Sequence, residues 1–475
     1  FNDIPFIRNH FFEQEFFDVA QVEVLRGPQG TLYGRNATAG VVNLTSAKPA
    51  DQYEAMASID VGNFNNRRLE GMLNLPIAGD MLALRLAGEW TKRDGYTFDT
   101  TLNTPVDGRD LWSGRASLRF RPVEALTADL VWEHFSEDDD RLRSAKALCT
   151  KDPGASSVDG PAGLVTNIDN GGRAWLTQGC LPGTLYGPTA YQTPNGGAIP
   201  FIAAASYSFA LMPPGFDPYG GVAQSQNLRE VTSALRPQYH ANNDTVELNV
   251  DYKLTPNLTL ISQTGYNKDS MFSTEDFNRF NTGPGAFTDT IDQGWGYTLV
   301  GTDGQFCDPQ LGCSDRVVGE DRSQEHAEQF SQELRLASNL SGPFNFSVGA
   351  NYLQYRTVED YYVFFNVISL LSEYINAVYP AQATHIPFDP STANGCNPQP
   401  ADPVLAGSAF AGLGCTYVDP SPLDNLNGDG HNYFRSQNPY RLHSWAGFCE
   451  AYYQVTPELK LTAGLRWTDD QKSFT

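Results

Sequence analysis

The residues best suited to chemistry in this chain are its cysteines. Cys149, Cys180, Cys307, Cys313, Cys396 and Cys415 fall in Gly/Pro/Asp-rich stretches, in successive pairs, and the short separation of Cys307 and Cys313 suits a small disulfide loop. Paired cysteines confined to loops point to disulfides made in an oxidising compartment, with free loop thiols as the alternative. Cys449 is left over inside a strand-like segment, where it reads as a small apolar filler. No CxxC or Cys/His spacing suggests zinc. Asn425-Leu426-Asn427-Gly428-Asp429-Gly430 resembles the start of a calcium loop, but Ser436 stands where a bidentate Glu is required, so an Asn/Gly-rich turn is the better reading. The acidic run Glu137-Asp138-Asp139-Asp140 reads as a solvated loop start, with a divalent-ion site as the alternative. The seven histidines are scattered and no nucleophile, metalloprotease or P-loop motif is present. Neither an enzyme nor a resident cofactor is expected.

The elements that must position these residues are extended ones. The chain has 475 residues and a formal net charge of −23, with 43 Gly, 30 Pro and 12% aromatics. Such a composition favours strands and turns over helical bundles, and its acidity excludes the clustered basic footprint of a nucleic-acid-binding protein. No apolar run is long enough for a transmembrane helix, which says nothing about a barrel crossing by short alternating strands. The opening Phe1-Asn2-Asp3-Ile4-Pro5 lacks the basic start and apolar run of a signal peptide, implying either a cytosolic protein or an unnatural N-terminus.

Beyond residue 50 one pattern repeats. In residues 81–90 Leu82, Leu84, Leu86, Gly88 and Trp90 share one face, and Ala83, Arg85, Ala87 and Glu89 the other. Residues 111–120, 245–252 and 459–467 alternate in the same way, as do 53–61, 69–75, 126–134, 258–266, 330–337, 344–352 and 443–453. These make about eleven strands, each close to the 9–11 residues that a tilted membrane strand needs. Short turns near 79, 123, 255, 341 and 457 separate long connections at 94–109, 138–242, 269–326 and 357–441. Strict short–long alternation fits an up-and-down transmembrane barrel with short periplasmic turns and long external loops, not a Greek-key sandwich. Trp90, Trp112, Trp132, Trp445 and Trp467 are then expected at the external ends of their strands, as an interfacial girdle. The charged faces, including Arg85, Glu89, Arg115, Arg119, Glu247 and Glu333, must turn inward, because charge on the lipid face costs several kcal/mol at mid-depth.

The first fifty residues differ. Residues 20–26 read as a strand, 27–30 as a turn, 31–34 as one helical turn and 41–45 as a second strand, a compact unit with no catalytic constellation. The contiguous run Val22-Glu23-Val24-Leu25-Arg26-Gly27-Pro28-Gln29-Gly30-Thr31-Leu32-Tyr33-Gly34-Arg35-Asn36-Ala37-Thr38-Ala39-Gly40-Val41-Val42-Asn43-Leu44 resembles the closing motif of the plug in TonB-dependent outer-membrane receptors. Ala39 departs from it, standing where that family usually has glycine.

The resemblance implies an all-β fold: residues 1–50 as the C-terminal part of a plug domain, and 51–475 as the N-terminal half of a 22-stranded antiparallel barrel with long extracellular loops. It implies Glu23, Arg26, Gly27, Pro28, Gly30, Tyr33, Gly34 and Gly40 as plug-motif residues that set shape and register, with Arg26 pairing to barrel acids. A solvated turn arginine is the alternative for Arg26. It also implies outer-membrane lipid, a TonB complex acting through a more N-terminal region, and a small-molecule or metal-chelate ligand such as a ferric siderophore, a cobalamin or a glycan. A passive porin-like or adhesion barrel is the rival reading, with a secreted soluble β-protein behind it. The expected structure is a curved, open half-barrel with residues 1–50 on its concave face.

Overall fold

The computed structural model describes residues 1–12, 15–34, 37–144, 146–160, 165–168, 170–199, 217–276, 280–287, 303–308, 310–371 and 434–474. Two strands, β1 (Val19–Arg26) and β2 (Gly40–Ser46), pair antiparallel around the single helical turn α1 (Gly30–Tyr33). Eleven further strands form one sheet. They are β3 (Glu54–Gly62), β4 (Asn66–Ala78), β5 (Leu82–Arg93), β6 (Arg109–Val123), β7 (Leu126–Asp139), β8 (Gln238–Thr255), β9 (Leu258–Asp276), β10 (Gly319–Ser338), β11 (Phe344–Phe365), β12 (Phe434–Thr456) and β13 (Leu459–Phe474). Each pairs antiparallel with its neighbour in sequence, and β3 and β13 are the two edges. This is an unbroken meander, and all eleven alternating segments of the sequence lie within it.

The alternation sorts itself polar-in and apolar-out. On β5 Ala83, Arg85, Ala87 and Glu89 are buried while Leu86 is exposed; on β8 Thr245 and Glu247 are buried while Val246, Leu248 and Tyr252 are exposed. A soluble sheet would reverse this, since its apolar face seeks a core. Only a solvent as apolar as the side chains makes the observed arrangement favourable.

Two expectations need correction. The strands run from 9 residues in β3 to 23 in β12, beyond the 9–11 required to cross hydrocarbon. Backbone pairing continues past the bilayer because the ladder satisfies its polar groups in water as well as in lipid. The tryptophans therefore lie within their strands, with Trp132, Trp445 and Trp467 near the middle. The loop alternation is also not strict, since Asn63–Asn65 makes a tight turn at the external end of β3 and β4. Phe64 and Asn65 sit there at φ 60° and 54°, and the Asn66 amide donates to the Asn63 carbonyl at 3.3 Å. Two successive left-handed residues match the twist of a hairpin.

The sheet curls around the N-terminal segment. Asp18 bonds Arg85 of β5, and the Thr31 carbonyl lies 3.4 Å from Arg466 of β13. So short a segment reaches both flanks of the sheet only if the sheet wraps it, and residues 1–46 occupy the inner side.

Candidate functional site

The inner wall presents polar side chains, and the segment that meets it is correspondingly polar in its backbone. The described residues of 1–18 contain little regular structure beyond one 3-10 turn at Asn9–Phe12, so their amides and carbonyls need partners from elsewhere. The wall supplies them. Gln329 on β10 accepts from the Ile7 amide at 3.0 Å and donates to the Pro5 carbonyl at 2.6 Å. Asn243 on β8 donates to the Phe11 carbonyl at 2.8 Å, and Asn2 donates to Glu247 at 2.7 Å. Arg115 on β6 spans the Phe17 carbonyl and Glu133, donating to that carboxylate at 2.5 Å.

Ion pairs and one aromatic anchor reinforce this. Arg8 is buried and donates to Glu359 at 2.8 Å and Thr357 at 3.2 Å; it also pairs with Glu325, and its Nε lies 3.5 Å from Asp269. Asp18 accepts two hydrogen bonds from Arg85, at 2.6 and 2.8 Å. Phe11 is fully buried among Ala327, Leu353, Tyr355 and Leu442 on three neighbouring strands. Removing one member of a buried ion pair costs about 3–5 kcal/mol, because the other is left uncompensated. The leader is thus fixed in register by contacts that cannot slide.

The hairpin that carries the motif is held differently. Among the described residues, the direct hydrogen bond from residues 19–46 to the large sheet is that of Arg466 to the Thr31 carbonyl. The hairpin leans instead on the leader: the Asn2 amide donates to the Leu44 carbonyl at 2.8 Å, and Asn43 donates to Asp3 at 2.6 Å. Glu23 accepts from Gln21 at 2.8 Å and from Asn43 at 3.4 Å, so it ties β1 to β2. Gly27 and Gly34 sit at φ 83° and 77°, where a side chain is strained, and a Cβ on Gly40 would lie 2.5 Å from the Leu25 carbonyl oxygen. Gly30 opens α1, Pro28 precedes it, and the Tyr33 amide closes it onto the Gln29 carbonyl at 3.1 Å.

The expected pairing of Arg26 with barrel acids is not formed. Arg26 is exposed and makes no ion pair among the described residues; its carbonyl accepts from Gln29. The wall acids Glu325 and Glu359 pair with Arg8, Glu54 with Arg85 and Glu133 with Arg115. Residues 1–18 therefore carry the anchoring that sequence reasoning placed on the motif, and they offered no periodicity by which to find them.

Between the leader, α1 and the wall lies a cavity of about 280 Å³, lined among others by Asp3, Tyr33, Glu333, Arg335 and Arg466. Above the wall, the external connection after β7 crosses the interior, with Arg143 paired to Asp321 on β10 and Ser144 donating to Glu275 on β9 at 3.1 Å. That connection contains the disulfide Cys149–Cys180, and the connection after β9 contains Cys307–Cys313. Beside the first, Asp152 accepts from the Gln178 and Gly154 amides at 2.8 and 2.9 Å, and these bonds hold its carboxyl below the usual range. Cys396, Cys415 and the Asn425–Gly430 run lie outside the described residues. Cys449 is free and exposed on the outer face of β12, opposite Val348 and Leu465.

No family model matches the chain. In sequence it is similar to the pesticin receptor of Yersinia enterocolitica, 30% identical over 120 residues that cover 25% of this chain and 17% of that one. It is also similar to the catecholate siderophore receptor Fiu of Escherichia coli, 39% identical over 74 residues, 15% of this chain and 10% of the other. In structure it resembles the ferric yersiniabactin uptake receptor FyuA from Yersinia pestis at 13% identity, with a TM-score of 0.55, covering 97% of this chain and 46% of that one. The outer-membrane ferripyoverdine receptor of Pseudomonas aeruginosa gives 0.50 at 11% identity, covering 96% and 42%. The chain thus spans about half the length of the receptors whose fold it shares. Those structural likenesses fix the fold, and the motif of residues 20–45 lies inside a meander of the kind these outer-membrane receptors share.

Proposed function

We propose that this chain contributes the last part of the plug, residues 1–50, and the first eleven strands, within residues 51–475, of a receptor that takes up a ferric siderophore by energised transport. The observation that carries the reading is the lodging of residues 1–46 against the polar inner wall. A passive pore has no use for a segment that fills its interior through buried ion pairs, and an adhesion barrel has no use for a plug motif. The names of the sequence relatives, a catecholate siderophore receptor among them, favour a ferric chelate over a cobalamin or a glycan. In this reading TonB acts on a region N-terminal to residue 1, and the external connections after β7, β9 and β11 supply the ligand contacts.

The test is uptake of radiolabelled iron by iron-starved cells that lack their own receptors and express the full-length protein. A panel of ferric catecholate and phenolate chelates is offered, with and without a functional TonB. Accumulation of at least one chelate that stops when TonB is removed is the expected result. Accumulation independent of TonB would identify a passive pore, and no accumulation of any ferric chelate would remove the iron assignment.

A further inference from the structure

The external half of the inner wall carries acids in facing pairs. Glu325 on β10 stands directly opposite Glu359 on β11, and, nearer the mouth, Glu275 on β9 stands directly opposite Asp321 on β10. Like charges directly opposite one another destabilise a sheet unless a cation lies between them. The external halves of these three strands have none to give, because Lys268, Arg322 and Arg356 are on the opposite parity. Each pair takes an arginine from another segment instead. Arg8 of the leader serves Glu325 and Glu359, and Arg143, from the external connection after β7, pairs with Asp321.

The two arginines are not equivalent. The side chain of Arg8 is 7% exposed, whereas that of Arg143 is 25% exposed and sits on a connection at the mouth. Arg143 also fills its seat incompletely. It donates to Ser323 on β10 at 3.4 Å, while the adjoining Ser144 lies 3.1 and 3.2 Å from the two oxygens of Glu275, and Tyr361 donates to Asp321 at 3.3 Å. Ser273 faces Ser323 one inward position below Glu275 and is fully buried, yet its hydroxyl has no partner among the described residues. Buried hydroxyls are ordinarily hydrogen-bonded, so the seat is built for more than its occupant. Two of the external connections are likewise without bases: residues 94–108 and 366–433 contain acids but no Lys or Arg.

We propose that the seat made by Glu275, Asp321, Ser273 and Ser323 receives a positively charged group of the ferric chelate, an ammonium or a guanidinium, and that Arg143 holds the place while no cargo is bound. The inference rests on the uptake of a ferric chelate argued above and narrows the class of that chelate. An ammonium carries three donors, enough for a carboxylate on each strand and for the Ser273 hydroxyl that Arg143 leaves over. Exchanging one cation for another keeps a positive charge between the facing carboxylates throughout, so release of the connection leaves no uncompensated buried charge. A polyanionic chelate finds no partner in this seat and is repelled by the acids around it.

The experiment is isothermal titration calorimetry of the full-length protein in detergent with two ferric trihydroxamates that differ only in a terminal amine, free in one and acetylated in the other. The expected result is at least about tenfold tighter binding of the free-amine form, the scale of one hydrogen bond to a charged group. Asp321→Asn should abolish the preference, and Ser273→Ala should reduce it while leaving the bonds of Arg143 and Ser144 in place. Arg143→Gln should tighten the free-amine form and leave the acetylated form unchanged; a residue that only latched the connection would move both forms together. Equal binding of the two forms, binding of neither, or a weaker free-amine form in Arg143→Gln overturns the proposal. Should Asp321→Asn not fold, Ser273→Ala decides the matter, and an unaltered preference there overturns it. TonB-dependent uptake, measured alongside, separates this proposal from the reading it rests on. Uptake of ferric catecholates without any amine preference rejects the seat alone, and an amine preference in binding without uptake upholds the seat and rejects the transport.

Discussion

Residues 1–18 and residues 19–46 lie side by side within the same curled sheet and are held by opposite means. The leader has almost no regular structure, yet Arg8, Phe11 and Asp18 grip strands from β5 to β12. The hairpin has complete internal pairing, seven registered residue pairs between β1 and β2, and touches the large sheet chiefly at α1. A segment without its own hydrogen bonds must borrow them from the wall, and that borrowing fixes it. A hairpin that satisfies itself is free of the wall. Of the two segments, the hairpin can shift against the wall at smaller cost than the leader.

The comparison can be broken by substitution. Arg8→Met should have the largest effect: it removes the guanidinium that Asp269, Glu325 and Glu359 share, and should destabilise the seating of residues 1–18 by about 3–5 kcal/mol. Hydrogen exchange at Ile7, whose amide is bonded to the wall, reads it directly. Phe11→Ala should follow at about 3 kcal/mol, the lower end for a buried aromatic, by leaving a cavity among Ala327, Leu353, Tyr355 and Leu442. The same amides would report it, and a loss under 1 kcal/mol would show that the ring is not an anchor. Gly40→Ala should cost about 1–3 kcal/mol by driving a Cβ into the Leu25 carbonyl, seen as faster exchange across β1 and β2 while Ile7 stays protected. Exchange that rises equally in leader and hairpin would mean the two are one unit. Arg26→Ala should be the smallest, within about 0.5 kcal/mol, as for an exposed side chain without a partner. An Arg26→Ala loss comparable to that of Arg8→Met would reverse the comparison altogether.

Much of the architecture could be read from residue order. Alternation at Leu82 to Trp90 identifies a strand and its two faces at once, and the same holds for all eleven strands. Their ends could not be read, because beyond the apolar band the outward face becomes polar, as at Lys268, Arg356 and Arg441, and the apolar-out, polar-in period is lost although the ladder continues. The hairpin was legible because Gly27, Gly34 and Gly40 mark turns that only certain torsions satisfy. The site was legible only in part. The motif residues were identifiable, but Arg8, Phe11 and Asp18, which meet the eleven strands described, were not, since nothing in Phe1 to Asp18 repeats with any period.

By itself the sequence determined the class of fold, the number of strands, the direction in which each face points and the family motif. These follow from local rules: a side chain's face is set by its parity along the strand, and a turn by its own glycines. Only the tertiary structure decided which charges meet. Asp18 finds Arg85 across 67 residues, and Arg8 finds Glu359 across 351. Parity puts dozens of polar groups on one wall without ranking them. The choice among them depends on strand register, sheet curvature and the path of a segment that has no period of its own.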